Sequence, residues 1–310
     1  MTQLILHHYD FSPYSEKVRL AFGHKNLDWQ SVQTPVQAPK PDLTPLTGGY
    51  RRAPVLQIGA DVYCDTLLIL REIERRHPEP TLYPGNQRGL VYALSTWWDR
   101  ATFFPAAKIA TSIMGDQIPA DFIEERKTVM RQDFSKPASL KDLPLNLQRM
   151  HAHMTWLADM LKDGRSYILG EQLSAADLTA YHMLWFIGKN GGPEAEAMLP
   201  LHPLRGWMER VAALGYGRRQ EMSAENALAA ARDATPEMPP IRADTDPSGL
   251  KPGQSVVLRT DDYAREPVHG ALVAANAEEV VIRHENERVG VVHIHFPRAG
   301  YDVLASEAAS

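Results

Sequence analysis

The sequence predicts three segments of different class in one chain. Residues 1–80 read as mixed α/β, residues 85–234 as all-helical, and residues 254–310 as a small all-β segment. Three observations carry this. Strand and helix signals alternate in the first stretch, long apolar faces at helical spacing fill the second, and short apolar runs split by turn residues fill the third. Residues 235–253 (TPEMPPIRADTDPSGLKPG) hold five prolines and read as a linker before the β segment.

The first segment opens on a short apolar strand, Leu4-Ile5-Leu6, followed by FSPYSEKVRLAF at residues 11–22. Tyr14, Val18, Ala21 and Phe22 recur at helical spacing, Pro13 suits a first helical residue, and Ser12 suits the N-cap. Ser12 therefore has two readings, a helix cap or a hydroxyl presented to a ligand. A second strand is expected near Trp29–Val32, then a loop rich in Pro, Gly and Lys over Pro35–Arg52. Pro54–Ile58 and Val62–Cys64 flank the turn Gly59-Ala60-Asp61 as a hairpin, and Thr66–His77 is a helix closed by Pro78 and Pro80. In the second segment the helical faces are Leu90–Met114, Leu143–Leu161, Ser174–Ile187 and Leu201–Leu214. Ser174 with Asp177 makes a capping box, and Leu173 can staple onto Leu178. Five short strands are expected at the end, Ser255–Arg259, Val268–Ala275, Val280–His284, Val289–Phe296 and Tyr301–Leu304, suggesting a small SH3-like barrel.

Composition bounds the function. At 310 residues, 44% hydrophobic and 23% charged, the chain has the make-up of a soluble globular protein with a substantial core. Apolar runs such as Leu67–Leu70 are too short to cross a bilayer, and His7, His8 and Asp10 arrive too early for a signal-peptide core, so no membrane association is expected. The single cysteine, Cys64, allows no intramolecular disulfide and fits a reducing cytoplasm. Net charge is −5: residues 241–310 carry 7 Lys/Arg against 11 Asp/Glu, the rest 26 against 27. A near-neutral body with an acidic end offers no footprint for nucleic acid.

SPYSEKVRLAF, RRAPVLQIGADVYCDT and LGEQLSAADLTAY, in that order and spacing, resemble the cytosolic glutathione transferase family of the serine type. The resemblance covers about residues 1–230 and implies a thioredoxin-like domain followed by an all-helical domain. The C-terminal β segment lies outside it. By this resemblance Ser12 donates a hydrogen bond to the sulfur of glutathione, a co-substrate. A free thiol has a pKa of about 8.5, so lowering it by about two units takes roughly 2.7 kcal/mol. One charge-assisted hydrogen bond and a helix N-terminus suffice. Ala53-Pro54 matches the cis step whose backbone pairs with the ligand, and Asp65-Thr66 lies where an acid and a hydroxyl hold the γ-glutamyl end. Asp65 equally suits a helix N-cap. Among Arg51, Arg52 and Lys40, Arg52 is taken for the glycyl carboxylate, with a solvated basic cluster as the alternative. Phe11, Tyr14, Trp98 and Phe103 are the expected lining of a pocket for a small hydrophobic electrophile, although Trp98 and Phe103 serve a core as readily. Cys64 sits inside a strand pattern and reads as a small buried hydrophobe.

Other chemistries find no pattern: there is no G-x-S-x-G, H-E-x-x-H, strand-linked G-x-G-x-x-G or Walker loop. His293 and His295 share a strand face without an evident third ligand, so no metal is expected. The function expected is a glutathione transferase that activates the thiol through Ser12, a cytoplasmic homodimer of the detoxification type. Serine at position 12 disfavours thiol–disulfide exchange, which needs a sulfur there. The alternative is a non-catalytic binding or regulatory protein on the same scaffold, since fold alone does not decide function.

Overall fold

The structure, a computed structural model, describes residues 3–239 and 246–306. The chain divides into two compact units. The first comprises residues 1–10, 28–72 and 218–310, the second residues 11–27 and 73–217.

The first unit is built on one sheet with ten strands among the described residues: β1 (Ile5–His8), β2 (Asp28–Gln33), β3 (Val55–Ile58), β4 (Asp61–Cys64), β5 (Arg218–Glu221), β6 (Ser255–Thr260), β7 (Val268–Ala275), β8 (Glu279–Asn286), β9 (Gly290–Pro297) and β10 (Tyr301–Ala305). Their order across the sheet is β10-β6-β7-β8-β9-β4-β3-β1-β2-β5. β1, β3 and β4 are buried along their whole length, which explains their runs of apolar residues without alternation. β1 pairs in parallel with β2 and antiparallel with β3, the hairpin β3–β4 follows, and helix α2 (Thr44–Thr47) precedes it. β6 to β10 form the expected antiparallel set, with β10 on β6 as the outer strand of the sheet. This set does not stand apart: β9 pairs in parallel with β4, Asp61 to Tyr63 opposite His293 to His295. One apolar core runs under both parts, joining Leu46, Val55, Val62 and Cys64 to Val256, Leu258, Ile282, Ile294 and Phe296. The expected linker falls partly on residues 240–245, which lie outside the described residues. Its earlier part is anchored, the Glu237 N–H donating to Asp61 at 2.9 Å.

Two elements of this unit carry little sequence signal. β5 is Arg-Arg-Gln-Glu, with no apolar residue, and exists because β2 offers it a parallel edge, with Arg218 paired to Asp28 at 2.6 Å. Helix α9 (Ala224–Arg232), capped by Ser223, packs Ala227 against Ile5 and Val32. Helix α3 (Thr66–Arg76) runs from the first unit into the second.

The second unit is helical: α1 (Pro13–His24), α4 (Arg88–Met114), α5 (Ala120–Met130), α6 (Lys136–Leu161), α7 (Ala175–Ala197) and α8 (Arg205–Ala212). α4 lies between α6 and α7, and α1 packs on α7. Gly23 near the end of α1 faces the turn after α8 so closely that a Cβ would sit 2.0 Å from the Gly215 carbonyl oxygen, so only glycine fits. The capping box at the start of α7 forms as the sequence indicates. Asp177 does more than cap. One carboxylate oxygen accepts the Ser174 N–H and O–H at 2.9 and 2.7 Å, the other the Ile168 N–H and the Trp207 indole N–H at 2.8 and 2.9 Å.

Candidate functional site

The residues singled out in the sequence fall in both units, and each group is built by its own local structure. In the helical unit Ser12 is the N-cap of α1. Its backbone is extended (φ −72°, ψ 127°), its Oγ accepts the Ser15 N–H at 3.2 Å, and its carbonyl accepts the Glu16 N–H. Capping uses an acceptor position, whereas a hydroxyl also carries one donor proton. Ser12 is buried.

Tyr14, two residues on, meets Phe103 of α4 at 5.6 Å between ring centroids and His182 of α7 at 5.4 Å. These two expected pocket residues are therefore together. Trp98 is not with them; it packs on Trp97 and His153 in a separate aromatic cluster. Phe11 is 44% exposed. Around Tyr14 lies a charged set that sequence reasoning misses. The Lys17 ammonium is 5.5 Å from the Tyr14 ring centroid and 2.6 Å from Asp99, whose other oxygen is 3.3 Å from His182 Nε2. Burial, then the Lys17 charge, holds the His182 pKa well below the ordinary value, so the imidazole is neutral. Lys17 and Asp99 are 82 residues apart, and no local spacing signals their meeting.

In the sheet unit the Ala53–Pro54 bond is cis. Asp65 precedes α3 with φ 75°, a left-handed conformation that Asp tolerates better than most residues. One of its oxygens caps the helix by accepting the Leu67 N–H at 2.9 Å, and the other accepts the Tyr301 hydroxyl at 3.2 Å. Tyr301 Oη is also 2.9 Å from the Tyr50 hydroxyl, so Tyr50 donates to Tyr301 and Tyr301 to Asp65. Burial keeps both phenols protonated, well above their ordinary pKa. Thr66 is buried beside this chain of bonds.

Arg52 donates to the Asp262 carboxylate and the Tyr263 carbonyl, with its guanidinium 4.2 Å from the Tyr263 ring centroid. Arg51 pairs with Glu266 at 2.9 Å. Both acids come from the turn between β6 and β7. Nearby, a cavity of about 340 Å³ is lined by Lys40, Arg51, Glu266 and the prolines 39, 41 and 45. Lys40 is itself buried, its ammonium 5.7 Å from the Tyr9 ring centroid.

Cys64 lies in the core, where burial, then the charge of Asp65, pushes its thiol well up, so it is no nucleophile. His295 is sandwiched between two acids, Nδ1 2.6 Å from Glu279 and Nε2 3.0 Å from Asp61. Both ring nitrogens face carboxylates, which only an imidazolium can satisfy as a double donor. Among the described residues no group of His, Cys, Asp and Glu has the arrangement of a metal site. Likewise no described helix is long and apolar enough to cross a membrane.

A strand–helix–strand then hairpin–helix pattern, followed by a helical unit with a buried N3 aspartate on α7, defines a thioredoxin-like plus all-helical scaffold. The sequence model of the glutathione S-transferase N-terminal domain matches residues 6–81, and that of the C-terminal domain residues 123–210. A GST-like protein from Pseudomonas syringae is 35% identical with a TM-score of 0.82, over 99% of this chain and 100% of its own. That coverage takes in the C-terminal strands. FtsZ-localized protein A of Caulobacter vibrioides is 24% identical over 182 residues, 56% of this chain and 73% of that protein. A glutathione S-transferase of Ceriporiopsis subvermispora, solved in complex with glutathione, shares the fold at 18% identity and a TM-score of 0.54, over 68% of this chain and 96% of its own. The chain belongs to the glutathione S-transferase family, with additional strands after its helical domain.

Proposed function

We propose that this chain is a binding or regulatory protein on a glutathione transferase scaffold. One observation carries the reading. The groups expected to hold the two charged ends of glutathione, Asp65 and Arg52, are engaged by the C-terminal strands through Tyr301, Asp262 and Tyr263. A ligand must displace those bonds before it gains its own, and the exchange leaves little net affinity. The name of the Caulobacter relative, which records where that protein is found and no reaction, agrees with this reading. Calorimetric titration of the full chain with glutathione is expected to show no binding tighter than about 1 mM. One site per chain well below that would overturn the reading. The same reading takes the protein for a cytoplasmic homodimer, for which light scattering should give twice the chain mass of 34.7 kDa.

A second reading, thiol activation for attack on a small hydrophobic electrophile, is favoured by one feature. Ser12 caps α1 through an acceptor position, so its O–H is available to a sulfur at the positive end of a helix. Ser12→Ala separates the two. As a cap alone the serine is worth about 1 kcal/mol of stability. As the sulfur's donor, its loss should raise the pKa of a bound thiol by one to two units, at about 1.4 kcal/mol each. The thiolate absorbance of a glutathione-loaded sample, titrated with pH for wild type and variant, reads the difference. Superimposable curves leave Ser12 a cap.

A further inference from the structure

We infer that the turn joining β6 to β7, residues 261–267, is an internal competitor for a small peptide bearing a free carboxylate, held at the basic rim of the cavity that Lys40 and Arg51 line. The inference rests on the reading that the C-terminal strands occupy the scaffold's recognition groups, and it adds that the occupation is reversible.

Charge complementarity supplies the first argument. Two adjacent cations, Arg51 and Arg52, each find a carboxylate from the same seven-residue turn, Glu266 and Asp262 respectively. Glu266 also lines the cavity, so the turn's own carboxylate stands at its mouth, beside Arg51 and the buried Lys40. An incoming carboxylate needs the same partners: a planar guanidinium that takes two oxygens, with a second cation close by. The turn thus presents to the two arginines the chemistry that such a ligand would present.

The ladder supplies the second argument. β6 pairs with β7 only as far as Leu258 opposite Val268, and with β10 as far as Thr260 opposite Tyr301. Residues 262–267 lie beyond both ladders, while the Asp261 N–H still donates to the Gly300 carbonyl at 3.0 Å. The Asp262 and Glu266 side chains can therefore swing away from the arginines without unzipping a strand, and the apolar core beneath β6 and β7 stays closed. The two acid side chains are held by ion pairs at partly exposed positions, Asp262 at 33% and Glu266 at 44%, while the backbone of the turn stays anchored by Arg52 on the Tyr263 carbonyl, by the Thr260 hydroxyl on the Tyr263 and Ala264 carbonyls, and by the Asp261 N–H on Gly300. Pairs of that exposure are individually weak and exchange readily for a better-placed anion.

The test uses the full chain, with glutathione as the probe peptide and its glycyl monoethyl ester as the probe lacking that carboxylate. Asp262→Asn with Glu266→Gln keeps the size of both side chains and removes both charges. The double variant should bind glutathione at least about tenfold more tightly than wild type, the combined worth of two partly exposed ion pairs. The ester should show no such gain, and adding Arg51→Gln to the double variant should abolish it. Glu266→Gln alone, at the more exposed position, should give part of the gain and guards against a folding artefact in the double variant. Equal affinity in wild type and double variant, including no binding in either, overturns the inference. An equal gain for the ester also overturns it, because the carboxylate then plays no part. Tight binding by wild type is a different result: it overturns the reading of an occupied scaffold, while the ratio between the proteins still judges the turn.

Discussion

Asp177→Ala should destabilise the helical unit by about 3–5 kcal/mol, a loss at the upper end for a single substitution. The side chain is fully buried and accepts four hydrogen bonds. Alanine leaves those four donors without their acceptor, and each buried orphan costs about 1–3 kcal/mol before relaxation. Three separate pieces come undone together: the first turn of α7, the loop at Ile168, and Trp207 on α8. Asp177→Asn should recover roughly half of the loss. Its carbonyl oxygen can serve Ile168 and Trp207, but its amide then faces the Ser174 N–H, donor against donor. Urea unfolding followed by tryptophan fluorescence measures both variants. A cost below about 1 kcal/mol for the alanine variant would mean that the bonds are incidental and Asp177 is an ordinary cap.

Asp177 also shows what local sequence can reveal. Ser174-Ala-Ala-Asp177 before an apolar face is a capping pattern readable from four residues, and Ser12-Pro13 is another. The same holds for the hairpin at residues 55–64 and for the five C-terminal strands, each a short apolar run bounded by turn residues. What the strands do next is not local. The parallel pairing of β9 with β4 depends on two apolar surfaces closing over one core, and neither strand's own pattern names its neighbour. α5 escaped because its face is short and mixed, and β5 because it has no apolar residue. Strand formation there follows from an available edge more than from propensity.

The candidate site divides along the same line. Ser12, the cis step at Pro54 and the position of Asp65 before a helix were readable because each is set by its immediate neighbours. Tyr14 and Phe103 meet, while Trp98, on the same helix as Phe103, turns to another cluster. The helical period allows both outcomes, and only the packing of α4 between two helices decides. The partners that alter the functional reading all come from far along the chain. Tyr301 reaches Asp65 across 236 residues, and Asp262 reaches Arg52 across 210. In the sequence, Asp262 is one of the 11 acids of an acidic end, with nothing to single it out. The structure makes it the counter-ion of Arg52.

His295→Ala should lower the stability of the sheet unit by about 3–5 kcal/mol near pH 6, the cost of leaving a buried charge without its partner. Asp61 is only 2% exposed, and on this substitution it keeps only the Glu237 N–H and His293, whose Nδ1 is 3.9 Å away. Glu279 is less affected because Arg71 also pairs with it. The loss should depend on pH, and the sign follows from the direction of the shift. Burial lowers the His295 pKa, but the hydrogen bonds and charges of Asp61 and Glu279 outweigh it, so the folded value lies above the ordinary 6.5. A histidine raised in the folded state contributes fully below its unfolded pKa, and the contribution disappears as pH rises through the folded value. The groups facing His295 are Asp61 on β4, Glu279 on β8, His293 on its own strand, Arg71 behind Glu279 and the stacked Tyr63 ring. His293 and the buried His7 have lowered values, His7 at about 4, so their effect runs the other way and stabilises as pH rises. Subtracting the variant from wild type removes the His7 contribution and leaves of His293 only its repulsion by the His295 charge, which is smaller than the pull of the two acids on His295. Urea unfolding at a series of pH values should therefore give a difference that is constant below about pH 6 and shrinks steadily above it. Asp61→Asn should flatten that slope by removing one of the two charges that hold the proton. A wild-type-minus-variant difference that grows with pH would mean that His295 is buried neutral, and that the β4–β9 seam is held by packing without its ion triad.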